Sequence, residues 1–305
     1  MKWKNALKDY QLYLKIERGL SKNSIENYSL DVAKLISYLE SHHINDSPIS
    51  ISTETVQQFI YETAKTVNAR SQSRLISGLR SFFNYLVFED YINSNPLELI
   101  ESPKIGRKLP DTLSEKEIDN LINAIDLSKP EGERNRAMLE TLYGCGLRVS
   151  ELINLKISDL FFEEGFIKVT GKGDKQRFVP IIGITQKYIN IYRSDIRNHM
   201  IIKNGFEDTL FLNRRGKQLT RAMVFTIIKQ LAEKIGLKKS ISPHTFRHSF
   251  ATHLLKNKAD LRSIQLMLGH ESITTTEIYV HLDKSHLTEI VEQFHPRRSL
   301  DRLDG

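Results

Sequence analysis

Between Ser242 and Leu255 the chain reads SPHTFRHSFATHLL, which places His244, Arg247, His248 and His253 on what reads as one helix. Ser242 is a good cap residue and Pro243 suits the first helical position. His244 and Arg247 then fall in the first turn, where free backbone N–H groups and the helix dipole favour an anion. Two chemistries compete for these residues. A metal site would take His244 and His248, four apart on one face, as two ligands. It finds no nearby Glu or Cys to complete it, and Arg247 between the two would repel a cation. A phosphate pocket uses the same residues without that conflict and is the preferred reading. Further on, LRSIQLMLGHESITTTEIYVHL supplies His270 straight after Gly269, and Tyr279 nine residues later. A tyrosine hydroxyl is a usable nucleophile if its proton is taken and the charge on the phosphate it attacks is neutralised. That combination predicts a covalent phosphotyrosine. Taken singly, a helix tyrosine usually packs with its hydroxyl at the surface and a lone histidine is commonly structural, so the argument rests on the constellation.

The elements that must hold these residues fall into two groups. The first hundred residues read as helices. SKNSIENYSLDVAKLISYLE begins with Ser21 as a cap and repeats Ile25, Tyr28, Val32, Leu35, Ile36 and Leu39 at helical spacing. TETVQQFIYETA continues the pattern. ARSQSRLISGLRSFFNYLVFEDY sets Leu75, Leu79, Phe82, Phe83 and Leu86 on one side and Arg70, Arg74 and Arg80 on others. NSNPLELIESPKIGRKLPDTL then carries three prolines with Lys104, Arg107 and Lys108 and no apolar period, the mark of an extended basic linker. Ser114 with Glu117 three residues on is a capping box that opens a new domain. The expected division is a helical domain over 1–100, a linker over 101–112 and a second domain over 113–305.

In that second domain, GCGLRVSELINLKISDL is a glycine-rich turn running into a helix. GFIKVTGKGDKQRFVPI predicts a hairpin of strands 166–170 and 177–181, with Gly171, Gly173 and Asp174 in the turn and Lys172 at its tip. TLFLN offers a further short strand, and the remainder to residue 294 returns to helices. The fold class is therefore mainly α, an N-terminal helical bundle followed by an α+β domain with a small antiparallel sheet.

Composition bounds the rest. A 305-residue chain with 40% hydrophobic residues can bury a real core, and its formal net charge of +7 favours a polyanionic partner such as nucleic acid. Cys145 is the single cysteine, which excludes an intrachain disulfide and a cysteine-based zinc site and fits a reducing cytoplasm. The charged N-terminus lacks the apolar core of a signal peptide, and no run approaches a membrane span, so a soluble cytoplasmic protein is expected.

Five motifs in order, GCGLRVSELINL, VTGKGDKQRFVPI, SPHTFRHSFATHLL, LGHESITTTEIYVH and the closing HPRR, resemble the tyrosine recombinase (phage integrase) family. The resemblance covers essentially the whole chain, because the N-terminal helices are similar to that family's core-binding domain. Within the family it is of the Xer type, closer to XerD than to XerC, although HLDKSHL after the tyrosine is XerC-like.

Carried over residue by residue, the resemblance makes Arg148 and Arg247 the pair that clamps the non-bridging oxygens of a scissile phosphate, a task suited to planar guanidinium forks. Lys172 would be the general acid for the leaving 5′ oxygen; alone it would read as a solvated turn lysine. His244 and His270 would complete the cradle and handle protons, either being a candidate base. Tyr279 would be the nucleophile, giving a 3′-phosphotyrosyl link. Glu151 would orient an arginine from behind, against the plainer reading of an exposed ion pair with Arg148. His248 and His253 carry no assigned chemistry and read as structural or backbone-binding. No cofactor and no metal are implied.

The resemblance further implies that two domains joined by a basic linker clamp double-stranded DNA, with the arginine-bearing helix 70–88 as a candidate groove-facing element or else a solvated face. It implies a dif-like target, a related XerC-like recombinase in a tetrameric synaptic complex, and a septal FtsK-like DNA translocase. The helix carrying Leu287, Ile290, Val291 and Phe294 would pack into a neighbouring protomer in that family; packing on its own domain is the alternative. A mobile-element integrase of the same chemistry, a catalytically idle architectural DNA-binding protein and a metal-dependent nuclease using His244 and His248 stand as competing functions.

Overall fold

The computed structural model describes residues 1–103, 111–171, 174–269 and 284–297, with the side chains of 284–286 left aside. The chain divides into two units, Met1–Lys108 and Leu109–Gly305.

The first unit contains four helices, α1 (Trp3–Ile16), α2 (Lys22–Ser41), α3 (Thr53–Ala64) and α4 (Ala69–Phe88). Each of the last three starts where a side-chain oxygen can take an orphan backbone N–H. Ser21 accepts from Ser24, Ser52 from Thr55 and Asn68 from Ser71. The apolar spacings do what they predict: Val32, Leu35 and Leu39 of α2 and Leu75, Leu79, Phe82, Phe83 and Leu86 of α4 are buried in one core. Where α2 and α4 pack, Asp31 is wholly buried and receives two parallel hydrogen bonds from Arg74, at 2.8 and 2.5 Å.

The second unit opens with α5 (Glu115–Asn123), whose capping box closes as the sequence predicts. Ser114 accepts from the Glu117 amide at 3.2 Å while Glu117 accepts from the Ser114 amide at 2.7 Å. Helix α6 (Gly132–Gly144) runs through the core with Ala137, Met138, Leu139 and Leu142 at zero exposure. After the short helix α7 (Val149–Asn154) come three antiparallel strands in the order β1 (Leu160–Phe161), β2 (Phe166–Thr170) and β3 (Gln176–Pro180). Phe166 pairs with Pro180 and Thr170 with Gln176. Helices α8 (Gly183–Ile191), α9 (Arg221–Lys234), α10 (Pro243–Lys256), α11 (Leu261–Leu268) and α12 (Lys284–Phe294) follow.

The TLFLN run is not a strand. Leu210, Phe211 and Leu212 are completely buried, but the segment makes single bridges, Lys156 with Thr209 and Leu212 with Gln218. Arg197 donates to the carbonyls of Glu207, just before the run, and Thr209, its first residue. The apolar run thus marks burial rather than strand pairing. Helix α12 buries Leu287, Ile290 and Val291 in the core of its own unit, with Phe294 packed against it, which is the plainer of the two alternatives for that helix. Among the described residues no helix is long and apolar enough to cross a membrane.

Candidate active site

Helix α10 begins with the Ser242 amide donating to Thr245 Oγ1 at 3.1 Å and with Pro243 in the first turn, where its missing N–H costs nothing. Phe246, Phe250 and Leu254 anchor one side of the helix in the core. The opposite side presents His244 and His248, both exposed, to a cavity of about 420 Å³ shared with Asp111, Thr245, Arg247 and Leu268. Among the described residues, no three His, Cys, Asp or Glu side chains gather as a metal ion would require.

Arg247 reaches inward instead of lying on the surface. Its side chain is 10% exposed; Nη1 donates to the Gly146 carbonyl at 2.8 Å and Nη2 to the Leu268 carbonyl. Gly146 must be glycine here: its φ is +58°, and a Cβ would sit 2.5 Å from the Phe250 ring. These contacts fix the guanidinium through the turn that precedes Arg148, in the GCGLR motif. Burial, and after it the neighbouring Arg148, push the Arg247 pKa down to about 10, so it stays a cation at neutral pH.

Both arginines meet over one carboxylate. Glu151, at 2% exposure, takes a hydrogen bond from Arg148 Nη1 at 2.8 Å and from the Arg148 amide at 2.9 Å, and lies 3.8 Å from Arg247 Nη1. The i,i+3 pair with Arg148 therefore exists, but on the acid's side it is buried. Arg148 itself is 35% exposed and also reaches the Gly269 carbonyl at 3.3 Å, the residue before His270 in the chain. Burial raises the Glu151 pKa, yet hydrogen bonds from Arg177 and then Arg148 outweigh it, and the acid is held below the usual carboxylate range.

Arg177 is the residue that sequence reasoning missed. It is 6% exposed on β3 and grips Glu151 with two parallel hydrogen bonds of 2.8 and 2.9 Å. The signal was present in strand alternation, since Arg177 lies two residues from Val179 and points to the same buried face. A buried guanidinium needs acceptors for its N–H groups, and here Glu151 supplies two of them together with a compensating charge. Three guanidiniums around one carboxylate leave a local surplus of two positive charges, which suits an anionic reactant.

Other expected residues fall elsewhere. His253 is buried and its Nδ1 lies 2.8 Å from the Tyr143 hydroxyl, a structural tie between α10 and α6. Lys172, His270 and Tyr279 lie outside the described residues, as do Lys104, Arg107 and Lys108 of the linker. In the N-terminal unit, Arg74 is occupied by Asp31 and Arg80 donates to the Ile100 carbonyl at 2.6 Å, while Arg70 is exposed.

Residues 111–286 match the phage integrase family, and residues 7–90 match the N-terminal SAM-like domain of phage integrases. The chain belongs to the phage integrase family. It is 43% identical over 293 residues to the tyrosine recombinase XerD of Oceanobacillus iheyensis, covering 96% of this chain and 98% of that one. To XerD of Staphylococcus aureus (strain N315) it is 42% identical, covering 95% and 98%. Among solved structures, the XerH site-specific recombinase bound to palindromic difH substrate in a post-cleavage complex matches with a TM-score of 0.68 at 26% identity, over 94% of this chain and 84% of that one. The Tn1549 transposon integrase in complex with circular intermediate DNA shares the fold, with a TM-score of 0.70 at 21% identity over 92% and 96% of the two chains. With full-length relatives of this kind, this integrase-family chain is a site-specific tyrosine recombinase of the XerD type.

Proposed function

We propose that the chain cuts and rejoins double-stranded DNA through Tyr279, using Arg148 and Arg247 as the phosphate clamp. The observation that carries this reading is the convergence of those two guanidiniums over buried Glu151, beside the cavity at the start of α10. Fixed donors of this kind stabilise the charge that grows on the non-bridging oxygens as phosphorus becomes five-coordinate, without waiting for solvent to reorganise. The Tyr279 oxygen attacks phosphorus, the P–O5′ bond breaks, and Lys172 protonates the departing 5′ oxygen. His244 and His270 complete the cradle and handle the tyrosine proton. The 3′-phosphotyrosyl bond keeps the energy of the broken diester, so attack by a 5′ hydroxyl of a partner strand regenerates the tyrosine and needs no nucleotide cofactor.

Residues 1–100 serve as the core-binding half of a DNA clamp, the basic stretch 101–112 as its linker, and 113–305 as the catalytic domain. The net charge of +7 supports a duplex partner. The XerD resemblance supports resolution of chromosome dimers at a dif-like site in the cytoplasm, with a XerC-like recombinase in a tetrameric synapse and an FtsK-like translocase as partners.

The test is covalent trapping. A nicked, labelled suicide duplex carrying the organism's dif-type site is incubated with protein in EDTA, alone and with a XerC-like recombinase and the translocase. Wild type is expected to leave an adduct on a denaturing gel and Tyr279→Phe none. Binding without an adduct under every condition would replace the recombinase reading with an architectural one.

A further inference from the structure

Glu151 poses a problem for a phosphate clamp. A buried carboxylate next to both clamping arginines would cancel the positive charge that the phosphate needs. The structure shows where that negative charge goes. Arg177 Nη1 and Nη2 take Glu151 Oε1 and Oε2 in the parallel two-bond geometry that is the strongest arginine–carboxylate contact. A third donor, Nε, goes to the Met267 carbonyl at 2.9 Å. Arg148 keeps a single side-chain bond to the acid and a partly exposed guanidinium, and Arg247 stands 3.8 Å off.

The same side chain also ties three elements together. Arg177 stands on β3, a few residues beyond Lys172 in the chain; Glu151 stands on α7, one turn after Arg148; Met267 stands at the end of α11, three residues before His270. Gly269 closes that end with φ of +63°, and a Cβ there would lie 3.1 Å from Arg177 Nε, so the chain next to His270 rests directly on the guanidinium.

Resting on the recombinase reading above, we propose that Arg177 is a positioning residue for strand cleavage. It occupies Glu151, leaves Arg148 and Arg247 with their charge for the scissile phosphate, and locks β3 and the end of α11 against α7. Without Arg177 the freed carboxylate draws Arg148 and Arg247 onto itself, and the clamp loses its surplus charge.

The test is single-turnover cleavage of the suicide duplex at saturating protein and fixed salt, with Arg177→Gln, Arg177→Lys and the double variant Glu151→Gln/Arg177→Gln, each checked by thermal unfolding. Arg177→Gln is expected to cleave about 100-fold more slowly than wild type, the scale of losing one transition-state donor. Arg177→Lys keeps the charge but not the parallel geometry and should recover part of the rate. In the double variant no carboxylate remains to hold the clamp, and cleavage should return to within about 10-fold of wild type, at the same scale of effect. A duplex with a neutral methylphosphonate at the scissile position needs less positive charge, so wild type and Arg177→Gln should differ little on it. Wild-type rates in Arg177→Gln would overturn the proposal, as would a double variant as slow as the single, or an equal deficit on the methylphosphonate. Should Arg177→Gln fail to fold, the double variant and Arg177→Lys decide. An absence of adduct with wild type itself would instead remove the recombinase reading on which the proposal rests.

Discussion

Each unit buries a carboxylate under an arginine fork, and the two carboxylates behave in opposite ways. In the first unit Asp31 faces one guanidinium, Arg74, whose side chain is 49% exposed. Burial outweighs that partner and the Asp31 pKa is raised. In the second, Glu151 is equally buried but receives Arg177 and Arg148 with Arg247 close by, and its pKa is lowered. The number of cations, not the depth of burial, sets the sign. The Asp31 pair balances its charges and holds α2 against α4; the Glu151 cluster keeps two charges in excess and can hold an anion. A buried ion pair is thus architecture in one place and the floor of a reaction site in the other.

The sharpest way to separate the two is to remove an arginine from each. Arg247→Ala is expected to lower single-turnover cleavage about 10²–10³-fold at saturating protein. Arg74→Met should leave that rate within a few-fold but destabilise the first unit by about 2 kcal/mol, less than the roughly 3–5 kcal/mol of a fully buried pair because Arg74 is half exposed. Thermal unfolding and the suicide-substrate assay, run on both variants, read the two outcomes. A cleavage defect in Arg74→Met as large as that in Arg247→Ala would break the distinction.

Acid titration sharpens it further. Glu151 has a folded pKa below its ordinary 4.5, so its stabilisation is present above that value and is lost as pH falls through the folded pKa. Asp31 has a folded pKa above its ordinary 3.8, so its contribution is full below that value and is lost as pH rises through the folded pKa. Comparing unfolding of Glu151→Gln and Asp31→Asn with wild type across this range, the cost of the first should shrink toward low pH and the cost of the second should grow. Parallel trends would contradict the assigned causes.

The smallest effects concern helix starts. Ser52→Ala removes the acceptor for the Thr55 amide in α3, and Thr245→Val removes the acceptor for the Ser242 amide in α10. Each should cost about 1 kcal/mol in unfolding. Cleavage should fall in Thr245→Val alone, since Arg247 lies two residues further along α10.

What could be read ahead of the structure were features with local causes. The apolar period of α2 and α4, the Ser114–Glu117 box, the β2–β3 hairpin and the exposed first turn at His244 each depend on residues a few positions apart. What could not be read depends on distant partners. Arg177 looks like one more charge in a basic hairpin until Glu151, 26 residues earlier, is seen beneath it. His253 reads from the sequence as structural or backbone-binding, and only its partner Tyr143, 110 residues away, decides for the first. TLFLN has strand composition, but its pairing stops at single bridges to the distant Lys156 and to Gln218. The roles of Lys172, His270 and Tyr279 rest on family resemblance and sequence order.

Tyr279 carries the central claim, and the chain offers a direct way to locate it. Trypsin should release Ser263–Lys284 as one peptide, and Tyr279 is its single tyrosine. The trapped adduct is digested with nuclease and trypsin and its peptides are weighed. Mass of a nucleoside 3′-phosphate on that peptide, placed on Tyr279 by fragmentation, is the predicted result. The same mass on any other peptide, or an adduct that persists in Tyr279→Phe, would contradict the account.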